Sequence, residues 1–220
     1  MTAHSLLTGF TLDPVELSVL RQAFGVRSRL FPLRLGSTVA DPVRFAALAA
    51  AAAVALDGRG LAESGEPIAP VRTAFELLAE HRVAVSITGA GDKPGEDLTV
   101  LAVSDGVWAL RVSQPTEHEL RFDLFPDEDL VAAVAAVVAV LPPAPAAAEL
   151  VGPRLGGGLL VATGRGRDGL WTDTLGWVDT AGGRHLVRTA AGRSGFSAEY
   201  RPAGPAELTA AVAGLLEVSR

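Results

Sequence analysis

Val83-Ala84-Val85-Ser86-Ile87-Thr88 alternates branched apolar side chains with small ones, and Leu98–Ser104 and Val107–Ser113 follow it on either side of Asp105-Gly106. A period of two marks strands. Asp-Gly between two apolar runs is the strongest short hairpin signal. This stretch decides the class: antiparallel sheet built from hairpins. Arg121–Phe125 prolongs it, because Leu120, Phe122 and Leu124 alternate with Arg121 and Asp123. Pro126 and Asp127 then open a helix over Leu130–Leu141.

Upstream, the period is helical. Asp13 is placed to cap a helix, Pro14 fits its first turn, and Glu16 answers the cap from three residues on. Leu17, Leu20 and Phe24 form its apolar face, and Gly25 stops it. Asp41-Pro42 repeats the cap chemistry and opens a second helix through Leu56, closed by Gly58. A third is expected from about Pro67 to His81, with Val71, Phe75 and Leu78 turned inward. Between the first two, Arg27–Gly36 alternates loosely around Pro32 and reads as a short edge strand.

Downstream, Pro142-Pro143 ends the Leu130–Leu141 helix, and an Ala/Pro connector runs to Ala148. Strands are expected at Leu159–Thr163, Leu170–Asp179, His185–Thr189 and Phe196–Tyr200, with turns at Gly164–Gly169 and Ala181–Arg184. Pro205 opens a terminal helix. Shifted by 78 positions, that helix meets the earlier one: Leu130, Ala132, Ala133, Val134, Ala135 and Val140 fall on Leu208, Ala210, Ala211, Val212, Ala213 and Val218. The reading is an α+β fold with a quasi-two-fold arrangement of largely antiparallel sheet and helices packed on it. One domain spans 1–220, built of two related halves at about 1–143 and 149–220.

Composition narrows the function. The chain has 220 residues, enough to bury roughly 70% of its unfolded surface. At 49% hydrophobic it is not disordered, and at −6 it is a poor generic nucleic-acid binder. With no cysteine there is no disulfide, thiol nucleophile, zinc ribbon or iron–sulfur cluster. A Schiff-base lysine would have to be Lys93, the single lysine beside 18 arginines. Residues 1–150 carry −8 and 151–220 carry +2. Neither 12-residue apolar run, Phe45–Leu56 or Leu130–Leu141, can cross a bilayer. Met1–Phe10 lacks signal-peptide features, so a cytoplasmic protein with no membrane insertion is expected.

No motif adds up to chemistry. Gly164-Arg165-Gly166-Arg167-Asp168-Gly169 matches the dinucleotide pattern, but a strand-like stretch follows where a helix amino terminus must hold the pyrophosphate. It reads as a hairpin loop. Gly156-Gly157-Gly158 lacks the Gly-Lys-Ser/Thr ending of a phosphate loop and reads as a hinge or bulge. His4, His81, His118 and His185 lie far apart, and His185 is expected on the surface or in a cap. Asp127, Glu128 and Asp129 suit a helix start. Arg165, Arg167, Arg184, Arg188 and Arg193 read as a solvated face. Catalytic, metal and cofactor sites are all read as none, which leaves a binding role.

The order of motifs resembles a known family. Leu12-Asp13-Pro14-Val15-Glu16-Leu17-Ser18-Val19-Leu20 followed by Phe31-Pro32-Leu33-Arg34-Leu35 resembles the start of the EspG family. Gly164-Arg165-Gly166, then Leu175-Gly176-Trp177-Val178-Asp179-Thr180 and Gly183-Arg184-His185-Leu186-Val187, are similar to its later hairpins. The stretch between Gly166 and Trp177 is short for the family, which puts the local strand count in doubt. His185 stands where a tyrosine is usual. The resemblance implies a cytosolic, non-enzymatic chaperone of actinobacterial ESX (type VII) secretion. Its partner would be the tip of a PE–PPE-type heterodimer. The implied surface is the loop between the first two long strands, here Gly89–Asp97, with the second-half sheet and helices. Asp92, Lys93, Glu96 and Asp97 are the polar candidates, and Leu208, Val212 and Leu215 of the terminal helix the apolar ones. An adaptor with another protein partner is the alternative. A small-molecule enzyme using Arg165 and Arg184 on an anionic substrate is a more distant one.

Overall fold

The computed structural model describes residues 8–27, 29–35, 41–91, 97–138, 152–166, 169–192 and 195–217. In chain order these form β1 (Thr8–Leu12), α1 (Pro14–Ala23), α2 (Pro42–Gly58), the small hairpin β2 (Ala62–Glu63) and β3 (Glu66–Pro67), and α3 (Ala69–Ala79). Then come β4 (Val83–Gly91), β5 (Leu98–Ser104), β6 (Trp108–Thr116), β7 (Glu119–Pro126), a 3-10 turn at Asp127–Asp129 and α4 (Leu130–Val138). Last are β8 (Arg154–Gly166), β9 (Gly169–Thr180), β10 (Gly183–Gly192), β11 (Gly195–Pro202) and α5 (Pro205–Glu217). Nine strands make one antiparallel sheet in the order β1-β7-β6-β5-β4-β8-β9-β10-β11.

That order is a meander repeated. β4 to β7 run up and down and end in α4; β8 to β11 do the same and end in α5. The two meanders join where β4 pairs antiparallel with β8, from Val83↔Gly164 to Gly91↔Gly156. Both closing helices lie on one face, which we call the bundle face. There Leu130, Val134, Leu208, Val212 and Leu215 pack on Val85, Ile87, Val100, Leu160, Leu175 and Trp177. The opposite face of the first meander carries Leu101, Val103, Leu110, Val112, Leu120 and Phe122 under α1 and α3.

Local chemistry starts the helices as expected. The Asp13 carboxylate accepts from the Val15 and Glu16 N–H groups at 2.7 and 2.8 Å, and Glu16 accepts from Asp13 N–H at 2.9 Å. Asp41 caps α2 in the same way. Asp105-Gly106 turns β5 into β6, with Gly106 at φ +97°. The carbonyl of Val138, at the end of α4, accepts from buried Arg184.

Five expectations change. Arg27–Gly36 is not a strand. Its described part crosses the sheet with Leu30 and Leu33 buried, and the Gln114 amide both donates to Arg34 O (2.9 Å) and accepts from Arg34 N–H (2.7 Å). That side chain does the work of a neighbouring strand. The first edge strand is instead β1, whose Phe10 stacks on Phe122 at 4.9 Å. His185 is buried, not on the surface. Arg184 leaves the supposed solvated face: it is buried and forked onto Asp179 at 2.7 and 2.9 Å. The strand count is not reduced by the short stretch after Gly166, since β8 and β9 pair along their whole length to Gly166↔Gly169. The helix end at Pro142-Pro143 and the connector after it lie outside the described residues.

The glycines of β8 are beds for tryptophan. Gly89, Gly158 and Trp177 share one cross-strand row, and a Cβ on Gly158 would collide with the Trp177 ring and the Thr88 carbonyl. A bulge does occur, between Arg154 and Gly156. Gly164, expected in a turn, lies in the strand beneath the Trp171 ring. Gly158→Ala should therefore destabilise by at least about 1–3 kcal/mol through overpacking. Gly214→Ala in α5, where a Cβ meets nothing within 4 Å, should stabilise by about 0.5–1 kcal/mol. Urea unfolding of the two variants checks both signs.

Candidate protein-binding surface

The repeat is incomplete, and the missing part exposes a surface. Among the described residues the second meander has no counterpart of α1 and α3, and no described helix lies on the continuation, across β8 to β11, of the face that they cover over β5, β6 and β7. Pair registers fix which side chains share it. Ser86 faces Val161, Thr88 faces Leu159, Val161 faces Thr174, and Gly176 lies between Leu159 and Val187. Val187 then faces Tyr200. Leu159 and Tyr200 are each 41% exposed, and Val161, Val178 and Val187 are half-buried. Leu170, at the start of β9, is almost wholly open. One margin is Phe31, whose carbonyl accepts from Ser86 Oγ at 3.0 Å and whose ring is exposed. At the β9–β10 turn the face closes over buried Thr180 and His185.

The chain also has a second sheet surface beyond its helices, and its chemistry differs. On the bundle face of β6 and β7, Asp123 accepts from Arg111 at 2.8 Å and from Arg121 at 3.1 Å. Asp123 is buried beneath the two arginines, of which Arg121 is the more exposed. Across β8 to β11 the open face offers leucine, valine and tyrosine separated by glycine, serine and threonine. Exposed apolar area of this kind marks a contact surface.

The candidates from the sequence fall in three places. Asp97 is exposed at the start of β5, where with Arg34, Thr99, Gln114 and Glu117 it rims a shallow cavity of about 130 Å³. Asp92, Lys93 and Glu96 lie outside the described residues; they belong to the loop joining β4 to β5, and β4 is the strand beside the open face. Leu208, Val212 and Leu215 are correctly placed as apolar, but they are buried against the sheet. They lie in the core on the bundle face of the sheet. Leu159, Val161, Val187 and Tyr200 of the open face were not among the sequence candidates. A signal for them existed: Leu159-Leu160-Val161 is apolar on both faces of its strand, whereas a solvated face would alternate with polar residues.

Arg165 and Arg184 do not converge. Their positions in the β8–β9–β10 register place them on opposite faces, and Arg184 is already taken by Asp179 and Val138 O. A groove of about 840 Å³ between the turn at Gly106, the start of α4 and the end of α5 is wide open and lined by Arg82, Asp127, Glu128 and Glu217 among apolar neighbours. Ser104 and Asp127 there are hydrogen-bonded to each other at 2.5 Å. Beyond β10, Arg201 is held above its ordinary pKa by its hydrogen bond to Glu199. Among the described residues no group of three or more His, Asp or Glu is arranged to hold a metal ion. No described helix is long and apolar enough to cross a membrane.

A family model described as the EspG family matches residues 13–150 and 146–214. Among solved structures the chain is similar to the Mycobacterium tuberculosis type VII secretion system chaperone EspG5, determined in complex with a PE25–PPE41 dimer. The TM-score is 0.72 at 15% identity, over 96% of each chain. No curated protein matches the sequence.

The two faces of β8 give opposite expectations for neighbouring leucines. Leu160→Ala on the bundle face should cost about 2–5 kcal/mol. Leu159→Thr on the open face should change stability by no more than about 0.5 kcal/mol. Equal losses in urea unfolding would mean that the open face is covered.

Proposed function

The chain belongs to the EspG family, and from that premise we propose that it is a chaperone of type VII secretion, acting in the cytoplasm on a PE–PPE-type heterodimer. It works by covering, not by catalysis. The observation that carries this reading is the face of the second meander, over which no described helix lies and which would give an apolar tip a preformed place to rest.

The physics of such a surface is simple. A helical protein that must stay unassembled until export exposes apolar ends, and those ends drive aggregation. A rigid sheet presents Leu159, Val161, Val187 and Tyr200 at little ordering cost, since the backbone is paired on both sides at β8 and β10 and on one side at the edge strand β11. The charged loop that carries Asp92, Lys93, Glu96 and Asp97 would supply the polar rim that fixes orientation. Both halves take part, the first through this loop and the second through its open face. α5 backs the sheet. Separation of Arg165 from Arg184 removes the arrangement an anionic substrate would need, which favours binding over chemistry.

Co-expression with a PE–PPE-type pair encoded beside it should yield a stable ternary complex on gel filtration. Leu159→Glu combined with Tyr200→Glu should weaken that complex by at least about 100-fold, because two carboxylates would be buried without partners. Replacing Lys93, Glu96 and Asp97 together by alanine should weaken it by about tenfold, as rim charges do. A substrate pair that is soluble alone and ignores this chain would refute the reading. Full affinity in the Leu159→Glu, Tyr200→Glu variant would move the site off the open face.

A further inference from the structure

We propose that the cavity between α5 and the β10–β11 ribbon binds a small amphiphilic acid, a single carboxylate on an apolar chain of medium length. The cavity holds about 380 Å³ on the bundle face, toward the small end of the range for ligand pockets, about 300–1,000 Å³. Buried Leu175 and Leu186 form its floor, and α5 presents Ala210 and Ala211 to it. Larger side chains at those two positions would fill the space. The floor is apolar and the mouth is charged, with Arg188 and Arg201 beside Glu199 and Glu207.

A comparison within the chain shows which of these charges is unmet. On β6 and β7, Arg111 stands opposite Asp123 in register, and that carboxylate accepts from Arg111 at 2.8 Å and from Arg121 at 3.1 Å. β10 and β11 hold the corresponding places in the second meander, and there Arg188 stands opposite Glu199. Glu199, however, turns along its own strand and accepts from Arg201 at 2.8 Å. Glu207 accepts from Gly204 N–H at 3.0 Å. Among the described residues Arg188 meets one carboxylate, Asp173, at 3.7 Å, beyond hydrogen-bond distance. A carboxylate brought by a ligand would complete at Arg188 the pair that Asp123 completes at Arg111. Its chain would then lie over Leu175 and Leu186, out of water. A neutral amphiphile would leave Arg188 as it is, and a cationic one would be repelled at the mouth. The cavity opens on the side of the sheet opposite Leu159 and Tyr200, so the proposal does not depend on the client surface.

Isothermal titration of the full chain with octanoate should give saturable binding, at least about tenfold tighter than 1-octanol. Arg188→Gln should weaken octanoate by at least about tenfold and bring it level with 1-octanol. Ala210→Leu, at an exposed position of α5, should keep the circular dichroism and Tm of the wild type and abolish octanoate binding by filling the cavity. The sequence has no cysteine, so a single introduced thiol reports cleanly. Octanoate should slow the reaction of Ala210→Cys with a maleimide, and acetate should not. The proposal is overturned if octanoate does not bind, binds no better than 1-octanol, or binds the Ala210→Leu variant as tightly as the wild type. It is also overturned if a PE–PPE-type pair protects the thiol at 210 while octanoate does not, an outcome that would assign the cavity to a protein partner.

Discussion

The antiparallel pairing of β4 with β8 is the constraint on which the molecule depends. It joins two meanders at their first strands, so each runs outward from the centre and returns a helix to the same face. Nine residues of β4 are engaged, from Val83 to Gly91. Close packing along the seam needs Gly89 and Gly158 to lie flat under the Trp177 ring, and that ring then carries α5. Arg184 locks the arrangement from the edge by tying β9, β10 and the end of α4 together. A sheet of nine strands held in this way is a stiff platform.

The proposed contact surface lies where the two meanders differ. Had the second half carried its own versions of α1 and α3, both faces at that end would be core. Without them, leucine, valine and tyrosine side chains remain in water. These side chains are already partly buried, so covering each would contribute only a fraction of the about 1.5–3 kcal/mol of full burial, and the gain comes from the row as a whole. The paired backbone beneath loses little order on binding. At the far end of the sheet, by contrast, the face is polar, with Asp123 buried beneath Arg111 and Arg121.

Much of this was legible where the deciding interactions are local. Asp13 and Glu16 are three residues apart, and Asp105-Gly106 needs only its own turn, so caps and the hairpin could be read from the chain. The repeated helix was readable because Leu130, Val134, Leu208 and Val212 bury the same stripe on the same face. Long-range partners were not legible. Nothing in 27–36 announces that Gln114 will satisfy Arg34 in place of a strand. Gly158 and Gly164 look like loop residues until the tryptophans of the next strand lie on them. Arg184 looks like surface until Asp179 crosses the turn to meet it. For the site, the family resemblance and the polar loop were readable, whereas the open face left only one trace, the run Leu159-Leu160-Val161 that is apolar on both faces of its strand. What sets that face apart is which helices the described residues place over the sheet, a long-range matter that no local motif carries.

The most direct test of the account is where a bound client touches. A photoreactive benzophenone side chain placed at position 159 on the open face, or at Val107 by the groove at the ends of α4 and α5, would report contact in the ternary complex. Covalent capture of the PPE-type subunit from position 159, with none from position 107, is the predicted result. Capture from position 107 alone would contradict the account, because the client would then sit on the opposite side of the sheet.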